Sequence, residues 1–443
     1  MKTKIYIFIL AMFSIAMSLN AQNNTYVWLH GFNGSKISWQ GYNNTFTPTN
    51  GSLPEYKSTQ SIKHISNDLR NANSHLFNRN TILIGHSMGG LVARELERTH
   101  SSSIKGIITI GTGHQGAPVA KELKNGKLDV LAKNIYNKTT SSVRASTDAI
   151  AAIFLGFPIT QINPLKSRID NFTDKYRIHL GDKIVSAVDK EFNATLVDEL
   201  SPGSDFLRTL EQRKINVPIL TFASEEDRWQ LARFGHCQLD YQILALDPNI
   251  NNNGDYDMAG YNLLNDICNG ITTVKNIHNG IATTCDVIGF FLPNWKYYAT
   301  LNRTAANNWQ STVGYLNNSL DFDHANLIGA IKYEQRSYYE PIFRCSGNAQ
   351  YINGKQNFME SDTYDCYYDY IYVSYTVPVP QPHDGIVPVA SQLLDKSKGN
   401  NVIWANTTIK GVNHAEQRNH PNTKREFQRV FAGLSYGGDV FKK

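Results

Sequence analysis

The residues best suited to chemistry stand at Gly85-His86-Ser87-Met88-Gly89, a G-x-S-x-G sequence. A serine hydroxyl is a poor nucleophile until a base takes its proton, and it must first be presented. A sharp turn from strand to helix does this by placing the serine at the apex. Side chains at the two flanking positions would strike neighbouring backbone, so glycine stands there. The helix N-terminus beyond also favours developing negative charge. The letters alone are permissive, because Gly433-Leu434-Ser435-Tyr436-Gly437 fits them too. That copy follows a helical run, with no strand before it and no helix after it, so Ser435 reads as part of a terminal turn. Only Ser87 has the apolar run "TILIG" before it and the helical run "LVARELERTH" after it.

Acyl chemistry at such a serine needs two donors aimed at an oxyanion, a base, and an acid that orients the base. The donors expected are the backbone N–H groups of Met88, directly after the serine, and of Phe32 in "WLHGFNGS". There a strand runs into His30-Gly31, and Gly31 lets the loop come close. His30 reads as a residue that holds this loop by hydrogen bonds. The base expected is His414 in "TTIKGVNHAEQRNHP", with His420 as runner-up; His420 precedes Pro421, where a helix start is the plainer role. Two acids compete. Asp227 ends the strand-like "PILTFASEED". Asp384, in "QPHDGIVPVASQLL", lies one helix and one strand before His414 and is favoured. The order Ser, Asp, His along the chain is the order an α/β architecture with a serine elbow requires.

These residues need strands that end where they stand. "TYVWL", "TILIG", "IKGIITIG", "VPILTFAS" and "NNVIWANTTIKG" are short apolar runs, and helical patterns separate them. In "SIKHISNDLRNAN", for example, Ile62, Ile65 and Leu69 fall at i, i+3 and i+7. Alternating strands and helices predict an α/β fold, a mainly parallel sheet flanked by helices. Residues 22–227 and 380–443 form this predicted core. Residues 228–379 differ in composition, being rich in Asn and Tyr and holding all five cysteines. They are expected to be an insertion, a lid or cap over the strand C-terminal ends, where such sheets place their sites.

With 443 residues, 41% hydrophobic and 18% charged, the chain suits a large globular protein. A net charge of +5 without clustered basic residues excludes a nucleic-acid footprint. Residues 1–21 have the pattern of a signal peptide, with Lys2 and Lys4 before an apolar stretch from Ile5 to Met17. No transmembrane segment is expected in the mature chain, since "CDVIGFFLPNW" is short and holds a charge and a proline. In an exported protein the cysteines favour disulfides, and neighbours in sequence pair most simply: Cys268 with Cys285, Cys345 with Cys366, leaving Cys237.

"GHSMGG", the "HGF" loop, "GTGHQGAP", "LSPGSDFLRTL", "DGIVPVAS" and "GVNHAE" together resemble the α/β-hydrolase lipases and esterases. The likeness is to bacterial triacylglycerol lipases and to GPI inositol-deacylase-like serine hydrolases, over residues 25–227 and 380–435. The first strand follows the leader directly, as in shortened lipases that lack the first strands of the full sheet. Gly113 stands where that family commonly has proline, which loosens the loop. The resemblance implies the α/β-hydrolase fold, Ser87 as nucleophile, His414 as base, Asp384 as orienting acid, and Phe32 and Met88 as oxyanion donors. No cofactor is implied as a requirement, though calcium is bound in some of these lipases.

"DPNINNNGDYDMAG" has alternating oxygen ligands, Asn249, Asn251, Asn253, Asp255 and Asp257, that a calcium loop would use; an Asn-rich surface turn is the plainer reading. Residues and resemblance together predict an exported, secreted or periplasmic serine hydrolase cleaving carboxylic esters of lipids through an acyl-enzyme, with transient contact to a lipid interface. An acyltransferase or amidase using the same three residues is the alternative. A non-catalytic binding module is disfavoured by the intact set.

Overall fold

A computed structural model describes residues 24–32, 34–125, 127–153, 194–226, 255–346, 350–352, 355–357, 365–394, 403–434 and 438–443. The apolar runs become strands: β1 Thr25–Leu29, β2 Gly51–Ser52, β3 Thr81–His86, β4 Gly106–Ile110 and β5 Ile219–Glu225, then β6 Ile331–Ser346, β7 Gln350–Ile352, β8 Lys355–Asn357, β9 Asp365–Pro380 and β10 Ile403–Lys410. Six of them form one sheet in the order β10-β5-β4-β3-β1-β2, and every pairing is parallel. From β1 the chain steps one way to β2 and the other way to β3. The crevice beyond the C-terminal ends of β1 and β3 is therefore a topological switch point. The α/β fold with a mainly parallel, helix-flanked sheet is thus the observed one.

The helices are α1 Gln40–Phe46, α2 Ile62–Ala72, α3 Met88–His100, α4 Val119–Lys124, α5 Lys127–Ile153, α6 Ala194–Leu200, α7 Asp205–Gln212, α8 Asp255–Phe291, α9 Trp295–Asn318, α10 Leu320–Leu327, α11 Val389–Gln392 and α12 Pro421–Phe431. Strand side chains alternate between faces, and both faces are covered. Val27, Leu29 and Leu83 face α2, α3, α6 and α7, in a cluster with Ile65, Leu91 and Phe206. Tyr26, Trp28, Ile82 and Ile84 face α1 and α12, in a cluster with Trp39, Tyr42 and Phe427. Trp28 anchors this second face. Its ring lies 5.0 Å from that of Trp39 and 5.8 Å from that of Phe427, and its Nε1–H donates to Thr47 Oγ1 at 2.9 Å.

The chain divides into two compact units, one of Met1–Ala330 with Pro382–Lys443 and one of Ile331–Gln381. The segment expected as an insertion over 228–379 contributes to both. Its helices α8, α9 and α10 belong to the first unit, where α9 packs against α8 and against α5. A closed polar network joins those three helices: His278 meets Asn302 Oδ1 and Ser146 Oγ at 2.8 and 2.9 Å, and Trp309 donates to the same Ser146 at 2.6 Å. The second unit is a ribbon of β6 and β9, paired antiparallel from Ile331↔Pro380 to Ser346↔Asp365, with the small hairpin β7–β8 beyond.

One cysteine expectation is corrected. Cys268 and Cys285 both lie on α8, buried and free. Seventeen residues of helix separate them by about 26 Å at 1.5 Å per residue, far beyond disulfide reach. Pairing by nearness in sequence failed because the intervening segment is continuous helix rather than a loop that folds back. Cys345 and Cys366 are different, being direct Cα partners across β6 and β9. Cys237 and the calcium-type positions Asn249, Asn251 and Asn253 lie outside the described residues, while Asp255 and Asp257 open α8. Among the described residues no group of three His, Cys, Asp or Glu is placed to hold a metal ion. No helix of the described residues is long and apolar enough to cross a membrane.

The free state of the two helical cysteines is directly measurable. Burial pushes the Cys268 thiol up to about 11, which keeps it protonated and inert in the fold. Iodoacetamide added to native protein should leave both Cys268 and Cys285 unmodified. The same reagent added in denaturant without reductant should label both. A linked Cys268–Cys285 peptide by mass spectrometry would contradict the helix.

Candidate active site

At the end of β3 the chain reverses into α3, and Ser87 sits at the turn with φ 55° and ψ −129°. Among the described residues it is the one non-glycine with positive φ. An L-residue held there costs roughly 1–3 kcal/mol, so the surroundings must impose it. They do so by close approach. A Cβ at Gly85 would stand 2.4 Å from Gly90 N, and one at Gly89 would stand 2.4 Å from Leu29 O and 2.5 Å from His30 O. Both glycines of the motif are therefore needed because backbone occupies the space. The Ser87 N–H is bound to Ile110 O of β4 at 2.9 Å, which fixes the turn against the sheet.

Beside the serine runs the loop after β1. A Cβ on Gly31 would fall 2.8 Å from Ser87 Cβ, so only glycine lets this loop abut the elbow. Two side chains hold the loop's carbonyls: Trp39 Nε1–H donates to Leu29 O at 2.9 Å, and the Tyr56 hydroxyl donates to His30 O. The His30 ring stacks on Tyr56 at 3.9 Å, and its Nδ1 bonds Gly31 O at 3.0 Å. Burial lowers the His30 pKa, so the ring is a neutral brace rather than a base. Phe32 follows, half-buried. Met88 opens α3, in the first turn whose amides have no partner within a helix. Phe32 and Met88 thus bracket Ser87 on the two segments expected to carry oxyanion donors.

Asp384 and His414 are brought together. His414 Nδ1 lies 2.7 Å from Asp384 Oδ2, and the His414 N–H donates to Asp384 O at 2.7 Å. The carboxylate is fully buried and its lone pairs are occupied. Oδ1 accepts from the N–H groups of Ile386 and Val387 at 3.0 and 2.8 Å, and Oδ2 accepts from His414 and from Gln417 Nε2 at 2.8 Å. All four partners donate, which suits the ionised acid. An ionised Asp384 requires the His414 proton on Nδ1, leaving Nε2 as the basic nitrogen.

His414 is tied to the elbow through His86, the residue before Ser87. The two rings are 4.7 Å apart, and His86 Nε2–H donates to His414 O at 3.0 Å. Burial, and then the nearby Arg418 and His414, lower the His86 pKa well below the usual range, so it acts as a neutral donor.

The acid turn stands on β5 although it comes 30 residues before His414 and far after β5 in sequence. The Glu226 N–H donates to His383 O at 2.8 Å. Gln392 of α11 accepts from the Ser224 N–H at 2.9 Å and donates to Ser224 O at 3.2 Å. The chain thus leaves the sheet after β5 and returns its acid to the end of the same strand. Asp227, the competing acid, lies outside the described residues. His420, the runner-up base, caps α12: its ring accepts from the Asn422 N–H at 3.2 Å, with Pro421 in the first turn. Ser435 lies outside the described residues.

A helix of the inserted segment also reaches the acid turn. His324 of α10 is fully buried, and its Nε2–H donates to Gly385 O at 3.0 Å. Its pKa is lowered to about 4, mainly by burial, so it too is a neutral donor. The loop "GTGHQGAP", with Gly113 at its third position, is pinned by side chains. Arg94 can only donate, so His114 Nδ1 accepts from it at 3.2 Å and His114 Nε2–H donates to Thr109 Oγ1 at 3.0 Å. The Ser391 hydroxyl donates to Gly116 O. His86, Gln417, Tyr56 and His324 were not singled out from sequence. Only the position of His86 inside the motif could have pointed to one of them.

Residues 43–156 match the family model of the PGAP1-like alpha/beta domain, a stretch that holds β3, Ser87 and α3 but neither Asp384 nor His414. No curated protein matches the chain. Solved structures similar to it include an extracellular alpha/beta-hydrolase from a Paenibacillus species, at 14% identity over 45% of this chain and 77% of that one, with a TM-score of 0.25. The alpha/beta hydrolase MGS-M2 from a deep-sea metagenome library of the Medee basin is 16% identical over 50% of this chain and 78% of that one, with a TM-score of 0.29. The Bacillus licheniformis lipase BlEst2 is 14% identical over 52% and 77%, with a TM-score of 0.27.

The buried histidines make stability depend on pH. In the unfolded chain each takes a proton near its model value of 6.5, whereas folded His324 does so only near 4. The unfolded state binds more protons in between, so stability is full above pH 6.5 and falls as pH drops toward 4. His86, His114 and His383 shift in the same direction, each mainly by burial. Thermal melts should show Tm falling steadily over that window, with a shallower slope in His324→Gln. An unchanged slope in that variant would mean His324 is protonated in the fold. On an all-parallel sheet, the strand, serine elbow and helix within the matched segment make this a chain of α/β-hydrolase fold.

Proposed function

We propose that the protein is an exported serine hydrolase that cleaves carboxylic esters, with lipid esters as the substrate class. The observation that carries the reading is the buried Asp384 Oδ2–His414 Nδ1 contact of 2.7 Å, tied through His86 to the strained Ser87 elbow. In this reading Ser87 Oγ attacks the ester carbonyl while His414 Nε2 takes its proton. The carbonyl electron pair moves onto oxygen, facing the N–H groups of Phe32 and Met88. Collapse expels the alcohol, which leaves with the proton from His414, and Ser87 holds the acyl group. Water, deprotonated by His414, then releases the acid and restores the serine. Asp384 stabilises the imidazolium, and Gln417 keeps the carboxylate aimed. Calcium held by Asn249, Asn251, Asn253, Asp255 and Asp257 would add to this reading, and each assay run with and without chelator checks it.

Ser87→Ala should abolish both p-nitrophenyl ester turnover and labelling by a fluorophosphonate probe. Asp384→Asn should lower kcat by about 10⁴-fold, the scale seen when a comparable acid is neutralised elsewhere. Gln417→Ala removes one bond to a charged group and should cost about tenfold in kcat. Full turnover in Ser87→Ala would refute the assignment.

Export is supported by the N-terminal pattern and by Cys345 facing Cys366 across β6 and β9. Paired positions in antiparallel strands stand about 4.5–5.5 Å apart at Cα, within disulfide range. Protein recovered from outside the cytoplasm should begin near Gln22 and yield a Cys345–Cys366 linked peptide without reductant. Recovery of both thiols free from that compartment would count against the reading.

A further inference from the structure

Among the described residues exposed apolar side chains concentrate in two places, the tyrosine-rich β6–β9 ribbon and the tip between α8 and α9, and the tip is the one built of phenylalanine and aliphatic side chains. At the turn between α8 and α9, Val287, Phe290, Phe291 and Leu292 are 64%, 81%, 77% and 55% exposed. The turn itself is well made. Leu292 N–H donates to Ile288 O at 2.9 Å, Trp295 N–H to Leu292 O at 2.9 Å, and Lys296 N–H to Pro293 O at 3.1 Å. The rings of Phe290 and Phe291 meet edge to face at 5.2 Å, so the tip is a formed wedge.

Charge is arranged around the tip in a consistent way. From Val287 to Asn302 the sequence holds no carboxylate, and its only ionic side chain is Lys296. The nearest acid, Asp286, is paired to Arg303 of α9, with Nη1–Oδ1 at 3.3 Å. One turn behind the phenylalanines stand Trp295, Tyr297 and Tyr298, aromatics with polar edges. Apolar point, amphipathic aromatic collar and unopposed lysine are the profile of a segment lying at a lipid–water boundary.

Other occupants fit less well. The four side chains offer roughly 500 Å² of surface at aromatic and aliphatic sizes, short of the roughly 800 Å² a side typical of a stable protein interface. The tip is a turn between two helices with its apolar side chains exposed, and a bilayer asks for no shaped partner. No described helix is long and apolar enough to span a membrane.

We infer that the α8–α9 tip is a membrane-docking wedge: Phe290, Phe291 and Leu292 enter the acyl boundary of a bilayer while Lys296 meets anionic headgroup phosphates. The inference deepens the lipid-ester reading and rests on it for its use. From the tip, α9 runs about 36 Å at 1.5 Å per residue to Asn318. The chain then enters α10, whose His324 holds the acid turn through Gly385. Docking at the tip therefore anchors the same helical arm that braces the candidate active site.

The test is flotation of the purified full chain with vesicles of phosphatidylcholine alone and of phosphatidylcholine mixed with phosphatidylglycerol. Wild type should float with both, and better with the anionic mixture. Phe290→Ser/Phe291→Ser should weaken vesicle binding at least about tenfold, as expected for losing two inserted rings. Its melting temperature and its p-nitrophenyl acetate turnover should match wild type, since both rings are exposed in the fold. Lys296→Glu should weaken binding to the anionic vesicles only. Ser87→Ala should float as wild type does, so failure of the hydrolase reading and failure of the wedge appear in different assays. Absence of flotation by wild type, or full flotation by the double serine variant, overturns the wedge. A wild-type dimer that the double variant dissociates, without vesicle binding, overturns it in favour of a second copy.

Discussion

The left-handed backbone of Ser87 is the constraint from which the rest of the arrangement follows. An L-residue does not stay at φ 55° without enforcement, and here enforcement is steric and total. Gly85 and Gly89 leave no room for side chains, and Gly31 leaves none beside the serine itself. The order β3-β1 in the sheet is what makes this possible, because it sets the loop after β1 next to the turn after β3. The elbow and the β1 loop are thus one object, packed backbone to backbone. Neither could shift without displacing the other.

Around that object the polar chemistry is built from neutral donors. His86, His114 and His324 are all buried, and burial keeps each uncharged, so each can place one N–H or one lone pair with definite direction. Asp384 receives four bonds from side chains and amides that carry no formal charge of their own. A carboxylate held this way keeps its charge available to whatever charge appears on His414. A fixed cation in place of Gln417 would have neutralised the acid in advance.

Much of this was legible in the sequence, and the reason is periodicity and punctuation. The five long sheet strands read as apolar runs because a sheet covered on both faces tolerates little else, and Ser87 was separable from Ser435 by its context. Asp384 and His414, which the order along the chain singles out, are bonded to each other in the structure. What could not be read were contacts that depend on the third dimension. Gln417 looks like any glutamine on a short turn, yet it shares an oxygen of Asp384 with His414. His324 sits in a segment whose composition marks it as foreign to the core, yet it bonds Gly385. The Cys268–Cys285 pairing failed because proximity in sequence was taken for proximity in space, where continuous helix keeps the two apart.

The return of the acid to β5 has a consequence for the order of events in the chain's own history. Ser224 and Gln392, joined by two hydrogen bonds at the end of β5, are 168 residues apart. Closing so long an excursion costs only slightly more entropy than closing a short one, because the cost grows with the logarithm of length, but distant contacts form late. The residues of the elbow, the β1 loop and five of the six sheet strands are all synthesised before residue 384. A chain stopped at Glu226 would carry Ser87 with neither Asp384 nor His414, and His414 follows β10, the last strand to be made. In the proposed reading, reactivity would be the last property the molecule acquires.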